Sequence, residues 1–97
     1  MDIGKVVGTV VATRKDESLV GAKLLITQPL DLAFEPVGQA RLMVDSVGAG
    51  VGEIVIYATG QAARNALKKR EAAIDAAIVG IVDSCEIDPI LAGKGKK

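Results

Sequence analysis

The sequence of 97 residues has no histidine and no tryptophan, and it has a single cysteine, Cys85. Without histidine, the chain cannot use His-based acid–base catalysis, a His–Cys nucleophile pair or a histidine metal ligand. One cysteine excludes an internal disulfide, and Cys85 lacks the second thiol of a CxxC motif. Because no clear catalytic or ligand set remains, we predict that the protein is not an enzyme and uses no metal or cofactor.

Aromatic residues and net charge are also scarce. Phe34 and Tyr57 are the only aromatic residues, and the Lys+Arg and Asp+Glu counts balance at 12 each. A domain that binds single-stranded nucleic acid combines stacked aromatic side chains with a basic groove. The composition supplies neither feature, so we predict that nucleic acid is not a partner.

Long apolar runs are missing as well. No run approaches the roughly 20 residues that a membrane-spanning helix needs. The first residues, Met1-Asp2-Ile3-Gly4, lack the basic region and apolar stretch of a signal peptide. We therefore expect a cytosolic domain with no membrane contact.

Aliphatic residues and glycine are abundant instead. Hydrophobic residues make up 49% of the chain, and 11 residues are glycine. A domain of this size buries only about 60–65% of the surface that its unfolded chain exposes. We therefore expect association with other copies to supply part of its stability, and near-zero net charge leaves little repulsion against it.

Runs of β-branched residues between turn signals predict a mainly β fold. We expect one domain over residues 1–90 and a flexible Lys/Gly-rich tail over 91–97. The domain is predicted to be a small five-stranded OB-like barrel with one short helix between strands four and five. The predicted strands are 3–13, 23–29, 39–45, 53–59 and 74–83, and the predicted helix is 61–67.

Particular residues refine these strands. Gly4 and Gly8 predict a bend or bulge in the first strand. Pro29 lacks an N–H donor, so it should end the second strand or lie at an edge. The fifth strand is almost entirely apolar, which predicts burial on both of its faces.

The glycine loop, residues 46–52, lies between strands three and four and must be tested as a phosphate site. A dinucleotide-binding motif needs a third glycine where Glu53 stands, and a helix must follow it. The phosphate-loop motif needs a Gly-Lys-Ser/Thr ending that is absent. Phosphate binding is therefore disfavoured. Asp45 and Glu53 flank the loop and are expected to anchor it, to form salt bridges, or to approach each other.

Five ordered segments resemble the EutN/CcmL family, the pentameric vertex proteins of bacterial microcompartments and carboxysomes. The segments are GTVVATRK (8–15), LVGAKLL (19–25), DSVGAGVGE (45–53), TGQAAR (59–64) and DAAIVGIVD (75–83). The resemblance spans residues 1–90. It implies a homopentamer that caps the vertices of a protein shell in the bacterial cytoplasm, with hexameric shell proteins as neighbours.

The resemblance also implies roles for residues. It places the glycine loop near the five-fold axis, where missing side chains would let neighbouring backbones crowd around a narrow pore. The implied axis residues are Ser46, Val47, Gly48, Ala49, Gly50, Val51 and Gly52. Asp45, Glu53 and Arg64 are implied at the subunit interface, and Glu53 is expected to bond to a neighbour's backbone because a ring of like charges would repel. Arg14, Lys15 and Asp16 are candidates for rim contacts with hexamers. The alternative is an OB-like domain that binds nucleic acid or a small ligand.

Overall fold

Five strands and one helix form the described part of the chain. The computed structural model describes residues 1–11, 21–67 and 75–83, without the side chains of Arg64 and Leu67. The elements are β1 (Asp2–Val10), β2 (Lys23–Leu30), β3 (Arg41–Asp45), β4 (Ile54–Thr59), α1 (Gly60–Leu67) and β5 (Ala76–Ile81). The predicted number, type and order of elements are confirmed, whereas β1, β3, β4 and β5 are shorter than predicted.

The strands close into a barrel in the order β1-β2-β3-β5-β4. All neighbouring pairs are antiparallel except β3 with β5, which is parallel. β5 lies between β3 and β4 in the barrel, and it can pair in parallel with β3 because β4 and α1 separate the two strands in the sequence. A closed barrel of five strands with one short helix agrees with the predicted OB-like architecture.

β1 has one irregularity and one close approach to β2. The register of β1 against β2 shifts between Val6 and Gly8, so the predicted bulge beside Gly8 is confirmed. At Gly4, an added Cβ would lie 2.7 Å from Thr27 Cγ2 and 3.0 Å from the Gln28 carbonyl oxygen. Any side chain at position 4 would therefore push β2 away.

Pro29 lies beyond the part of β2 that pairs with β3, so its missing N–H costs the sheet no hydrogen bond to β3. It pairs with Gly4 of β1, while β3 pairs with β2 only from Lys23 to Thr27. On the side that β3 no longer covers, the Val37 N–H donates to the Pro29 carbonyl oxygen at 3.0 Å. The prediction that Pro29 lies at the end of its strand is confirmed.

The barrel has a main core inside and a smaller cluster outside. The main core contains aliphatic residues from all five strands, the Tyr57 ring and one loop residue, all of them buried: Val6, Leu25, Met43, Ala49, Val55, Tyr57, Ala76 and Ile78. In the outer cluster, Ala63 of α1 packs on Ala58 and Ala77, with Val79 beside them. Because Ile78 points inward and Ala77 outward, the first half of β5 is buried on both faces, as predicted, whereas Val79, Gly80 and Ile81 are half-buried.

None of the described helices is long and apolar enough to cross a membrane.

Candidate functional site

The glycine loop closes one end of the barrel and is attached at both of its ends. At its start, the Ser46 hydroxyl donates to the Ile78 carbonyl oxygen of β5 at 2.7 Å. At its end, the Gly52 N–H donates to the Val6 carbonyl oxygen of β1 at 2.8 Å, and the Val6 N–H donates to the Glu53 carbonyl oxygen at 3.0 Å. The loop therefore continues the hydrogen bonding of the barrel.

Asp45 holds the first half of the loop. Its Oδ1 accepts the Val47 N–H at 3.0 Å, and its Oδ2 accepts the N–H groups of Gly48 and Ala49 at 3.1 and 2.9 Å. The Asp45 side chain is only 1% exposed, so these bonds replace most of the water that an ionised carboxylate would otherwise bind. Of the roles that the sequence left open for Asp45, the structure shows two, a loop anchor and a salt-bridge partner.

Lys23 completes the Asp45 anchor from the opposite strand. Its Nζ lies 3.6 Å from Asp45 Oδ2 and donates to the Ala49 carbonyl oxygen at 2.7 Å. Lys23 and Asp45 are Cα partners at the ends of β2 and β3. The sequence analysis missed Lys23, because the partner of Asp45 follows only from the register of this pair.

Glu53 holds the second half of the loop in the same way. Its Oε1 accepts the Gly50 N–H at 2.7 Å, and the Glu53 N–H donates to the Gly50 carbonyl oxygen at 3.2 Å. Four successive N–H groups, of residues 47 to 50, are thus bonded to carboxylates of the same chain. These are the donors that a phosphate cradle would offer to its ligand, so the loop is not arranged as a phosphate site.

The three glycines of the loop differ in whether the chain's own backbone and packing require glycine at that position. Gly48 and Gly52 have positive φ values of 84° and 95°, a region that side chains disfavour. Gly50 has no such φ, and a Cβ there would meet only Glu53 Oε1 at an ordinary distance of 3.7 Å. The chain itself therefore requires glycine at 48 and 52, whereas its own backbone and packing do not require it at 50.

The apolar side chains of the loop divide between the core and the surface. Ala49 is fully buried in the barrel core, so only its backbone is left to face another molecule. Val47 and Val51 are 41% and 61% exposed. The loop therefore presents two aliphatic side chains on a frame that its own carboxylates hold in place.

A family model described as "Ethanolamine utilisation protein EutN/carboxysome" matches residues 1–83. The chain belongs to the EutN/CcmL family. The resemblance read from its sequence is thereby confirmed.

Relatives in the EutN/CcmL family match almost the whole chain. The bacterial microcompartment shell vertex protein GrpN of Rhodospirillum rubrum (strain F11) is 52% identical over 86 residues, covering 89% of this chain and 97% of GrpN. The carboxysome shell vertex protein CcmL of Gloeobacter violaceus (strain ATCC 29082 / PCC 7421) is 41% identical over 88 residues, covering 91% of this chain and 88% of CcmL.

Solved structures of the family share the fold. The GrpN pentameric microcompartment shell protein from Rhodospirillum rubrum gives a TM-score of 0.82 at 50% identity, covering 91% of this chain and 100% of that chain. The structure of Gloeobacter violaceus CcmL gives a TM-score of 0.83 at 41% identity, covering 91% of each chain. The closed barrel is therefore the fold of this family.

The remaining residues that the EutN/CcmL resemblance singled out are not gathered at the glycine loop. Arg64 lies in α1 after β4, whereas Glu53 precedes β4, so the length of a strand separates them within one chain. Arg14, Lys15 and Asp16 lie outside the described residues, as do Cys85 and the Lys-rich end. The interface and rim assignments of these residues remain predictions.

A second polar group lies at the opposite end of the barrel, and the sequence analysis did not single it out. Arg41 Nη2 lies 3.7 Å from Asp75 Oδ1. Burial raises the pKa of the nearby Tyr57 phenol, the charge of Asp2 raises it further, and Arg41 lowers it through its charge and a hydrogen bond. Within the described residues, no group of three or more acidic or thiol side chains is placed to hold a metal ion.

Proposed function

We propose that this chain is a structural shell protein that forms homopentamers and caps the vertices of a bacterial microcompartment. The observation that carries the proposal is the match, over nearly the full length of both chains, to GrpN, which is a pentameric shell protein. The proposal makes the protein a component of a shell in the bacterial cytoplasm, with a geometric role and no catalytic one.

The mechanism is the closure of a polyhedron. Hexagonal tiles alone form a flat layer, and pentagonal tiles introduce the curvature that closes it. A five-fold ring uses a heterologous interface, in which one patch of each subunit meets a different patch of the next. The rotation between neighbouring subunits then decides whether the ring closes at five, so the contacting surfaces must be rigid.

In this proposal the glycine loop lies next to the five-fold axis. Two features support it: the loop is held by Asp45, Lys23 and Glu53 of its own chain, and it exposes Val47 and Val51. Gly50 supports it further, because the chain's own packing leaves room for a side chain there. In the pentamer, a neighbouring copy would occupy that space and exclude a side chain at position 50.

The proposal also assigns the outer contacts. Arg14, Lys15 and Asp16 would touch hexameric shell proteins at the rim, and Arg64 would reach a neighbouring subunit. Glu53 would bond to a neighbour's backbone through an oxygen lone pair that the Gly50 N–H does not use. Each of these contacts is between chains and is tested separately from the ring itself.

The decisive experiment has two parts. Native mass spectrometry of the purified protein should give a mass of five subunits, and a monomer at micromolar concentration would refute the pentamer. Co-expression with hexameric shell proteins should give closed shells only when this chain is present. Shells that close equally well without it would refute the vertex role, even if the protein is a pentamer.

A further inference from the structure

The helix α1 covers one strip of the outer wall of the barrel. Ala63 of the helix packs on Ala58 of β4 and Ala77 of β5, with Val79 beside them. All three alanines are almost completely buried. We call the wall residues Ala58, Ala77 and Val79 the covered strip. Only small side chains form this packing, so each contributes little apolar area.

Most of the described surface of α1 faces away from the wall. Gln61, Ala62, Asn65 and Ala66 are exposed, and Ala63 is the buried one among the described side chains of the helix. The Gln61 amide donates to Asn65 Oδ1 at 3.1 Å, a bond that lies within the helix and does not tie it to the barrel. The helix has eight residues, and isolated helices shorter than about 12–15 residues are marginal in water. The small contact with the barrel therefore has much of the helix to hold.

The chain leaves the barrel and returns to it at one place. Thr59, the last residue of β4, is the Cα partner of Ala76, the first residue of β5. Just outside this pair, the Gly60 N–H donates to the Asp75 carbonyl oxygen at 2.7 Å. The pairing of β4 with β5 thus holds both ends of the segment that contains α1. The helix can leave the wall without breaking a hydrogen bond between strands.

We propose that α1 is a detachable cover, which opens from the wall while the five-stranded barrel stays folded. Elements held by few buried apolar contacts open locally at a lower free energy than global unfolding. Opening exposes the covered strip and leaves the main core closed, so it gives another protein access to an apolar part of the wall. This property belongs to a single chain and goes beyond the proposed vertex function.

Thiol labelling at two adjacent residues of β5 tests the proposal. Ala76 and Ala77 are both fully buried, but Ala76 lies in the main core and Ala77 lies under α1. In the full-length Cys85→Ser chain, Ala76→Cys and Ala77→Cys each provide a single thiol. With a small thiol reagent under native conditions, we expect Ala77→Cys to react about 100-fold faster, because it needs only the opening of α1.

Two proline variants then separate the helix from the barrel. Asn65→Pro and Gln61→Pro both remove the hydrogen bond between these side chains, but proline is tolerated at the start of a helix and breaks its interior. With Asn65→Pro, Ala77→Cys should react nearly as fast as an exposed thiol, while Ala76→Cys stays at least about 100-fold slower. With Gln61→Pro, Ala77→Cys should stay at least about tenfold slower than an exposed thiol.

Three results would overturn the proposal. Equal reaction rates of the two thiols without a proline would mean that α1 opens only together with the barrel. An Ala77→Cys thiol that already reacts like an exposed one would mean that α1 does not cover the strip. Loss of protection of Ala76→Cys in the Asn65→Pro chain would mean that the barrel needs α1 in order to fold.

Discussion

The two ends of the barrel are closed by loops that use the same local device in different surroundings. At one end, Asp45 accepts N–H groups from residues 47, 48 and 49. At the other, Asp31 Oδ1 accepts the N–H groups of Ala33 and Glu35 at 2.8 and 3.1 Å. Each aspartate is at or just after the end of a strand, and each organises the loop that follows.

What differs is how deeply each loop is tied into the barrel. The glycine loop sends Ala49 into the main core and joins β1 and β5, and Asp45 is almost fully buried beside Lys23. The loop at the Asp31 end buries Ala33 but places no residue in the main core, and it holds Phe34 at a φ of 65° without glycine. The same aspartate cap therefore holds a loop that enters the main core at one end of the barrel and a loop that does not at the other end.

Gly50→Val should have the largest effect, because it is expected to abolish the pentamer. Within its own chain a Cβ at position 50 meets only Glu53 Oε1, at an ordinary 3.7 Å, whereas neighbouring copies at a five-fold axis would leave it no room. Native mass spectrometry should show smaller species while circular dichroism stays native. A normal ring with an unchanged pore would mean that the loop lies away from the axis.

Asp45→Asn should lower the free energy of unfolding by about 3 kcal/mol, because an amide NH₂ would replace an oxygen that accepts two N–H groups beside a lysine. Asp31→Asn is the matched control at the opposite end, with an expected loss below about 1 kcal/mol, since its loop is more exposed. Urea unfolding at one protein concentration measures both. Equal losses would contradict the contrast between the two ends.

Gly48→Ala should cost about 1–2 kcal/mol, because alanine is strained at the φ of 84° that the loop imposes. Gly50→Ala is the control within the same loop and should change stability by less than about 0.5 kcal/mol. If the two alanine variants unfold at the same urea concentration, the separate reasons given for these glycines are wrong.

Tyr57→Phe should give the smallest change that we predict, which is in the pH dependence of stability above pH 10. Burial raises the pKa of the folded phenol above 10.0, so the unfolded chain loses this proton at a lower pH than the folded chain does. Its contribution to stability is therefore fully present below pH 10 and is lost as the pH rises through the folded pKa. The urea midpoint of Tyr57→Phe should fall less steeply above pH 10 than that of the wild type. Parallel curves would contradict this assignment.

Much of the fold follows from local patterns in the sequence. The alternation of β-branched runs and turn residues locates all five strands and the helix, Gly8 marks the bulge, and Pro29 marks a strand end. The ends of β1, β3 and β5 are less well predicted, because where a strand stops depends on where its partner stops. The strand pattern also predicts the barrel, and the family resemblance adds the predicted ring, which composition alone leaves open.

Only part of the candidate site can be predicted from the sequence. The flanking carboxylates and the glycine loop are visible as a motif, and the absence of a third glycine at Glu53 already disfavours phosphate binding. The atoms that Asp45 and Glu53 bind, the role of Lys23 and the burial of Ala49 are not visible, because they depend on chain segments that only the fold brings together.

The sequence by itself determined the elements, the absence of histidine-based chemistry and the family, since these rest on residue types and their spacing along the chain. The tertiary structure alone decided which glycines the chain needs, which carboxylate holds which N–H group, and which loop residue enters the barrel core. These properties depend on register, burial and closure, and each of them is set by pairs of residues that lie far apart in the sequence.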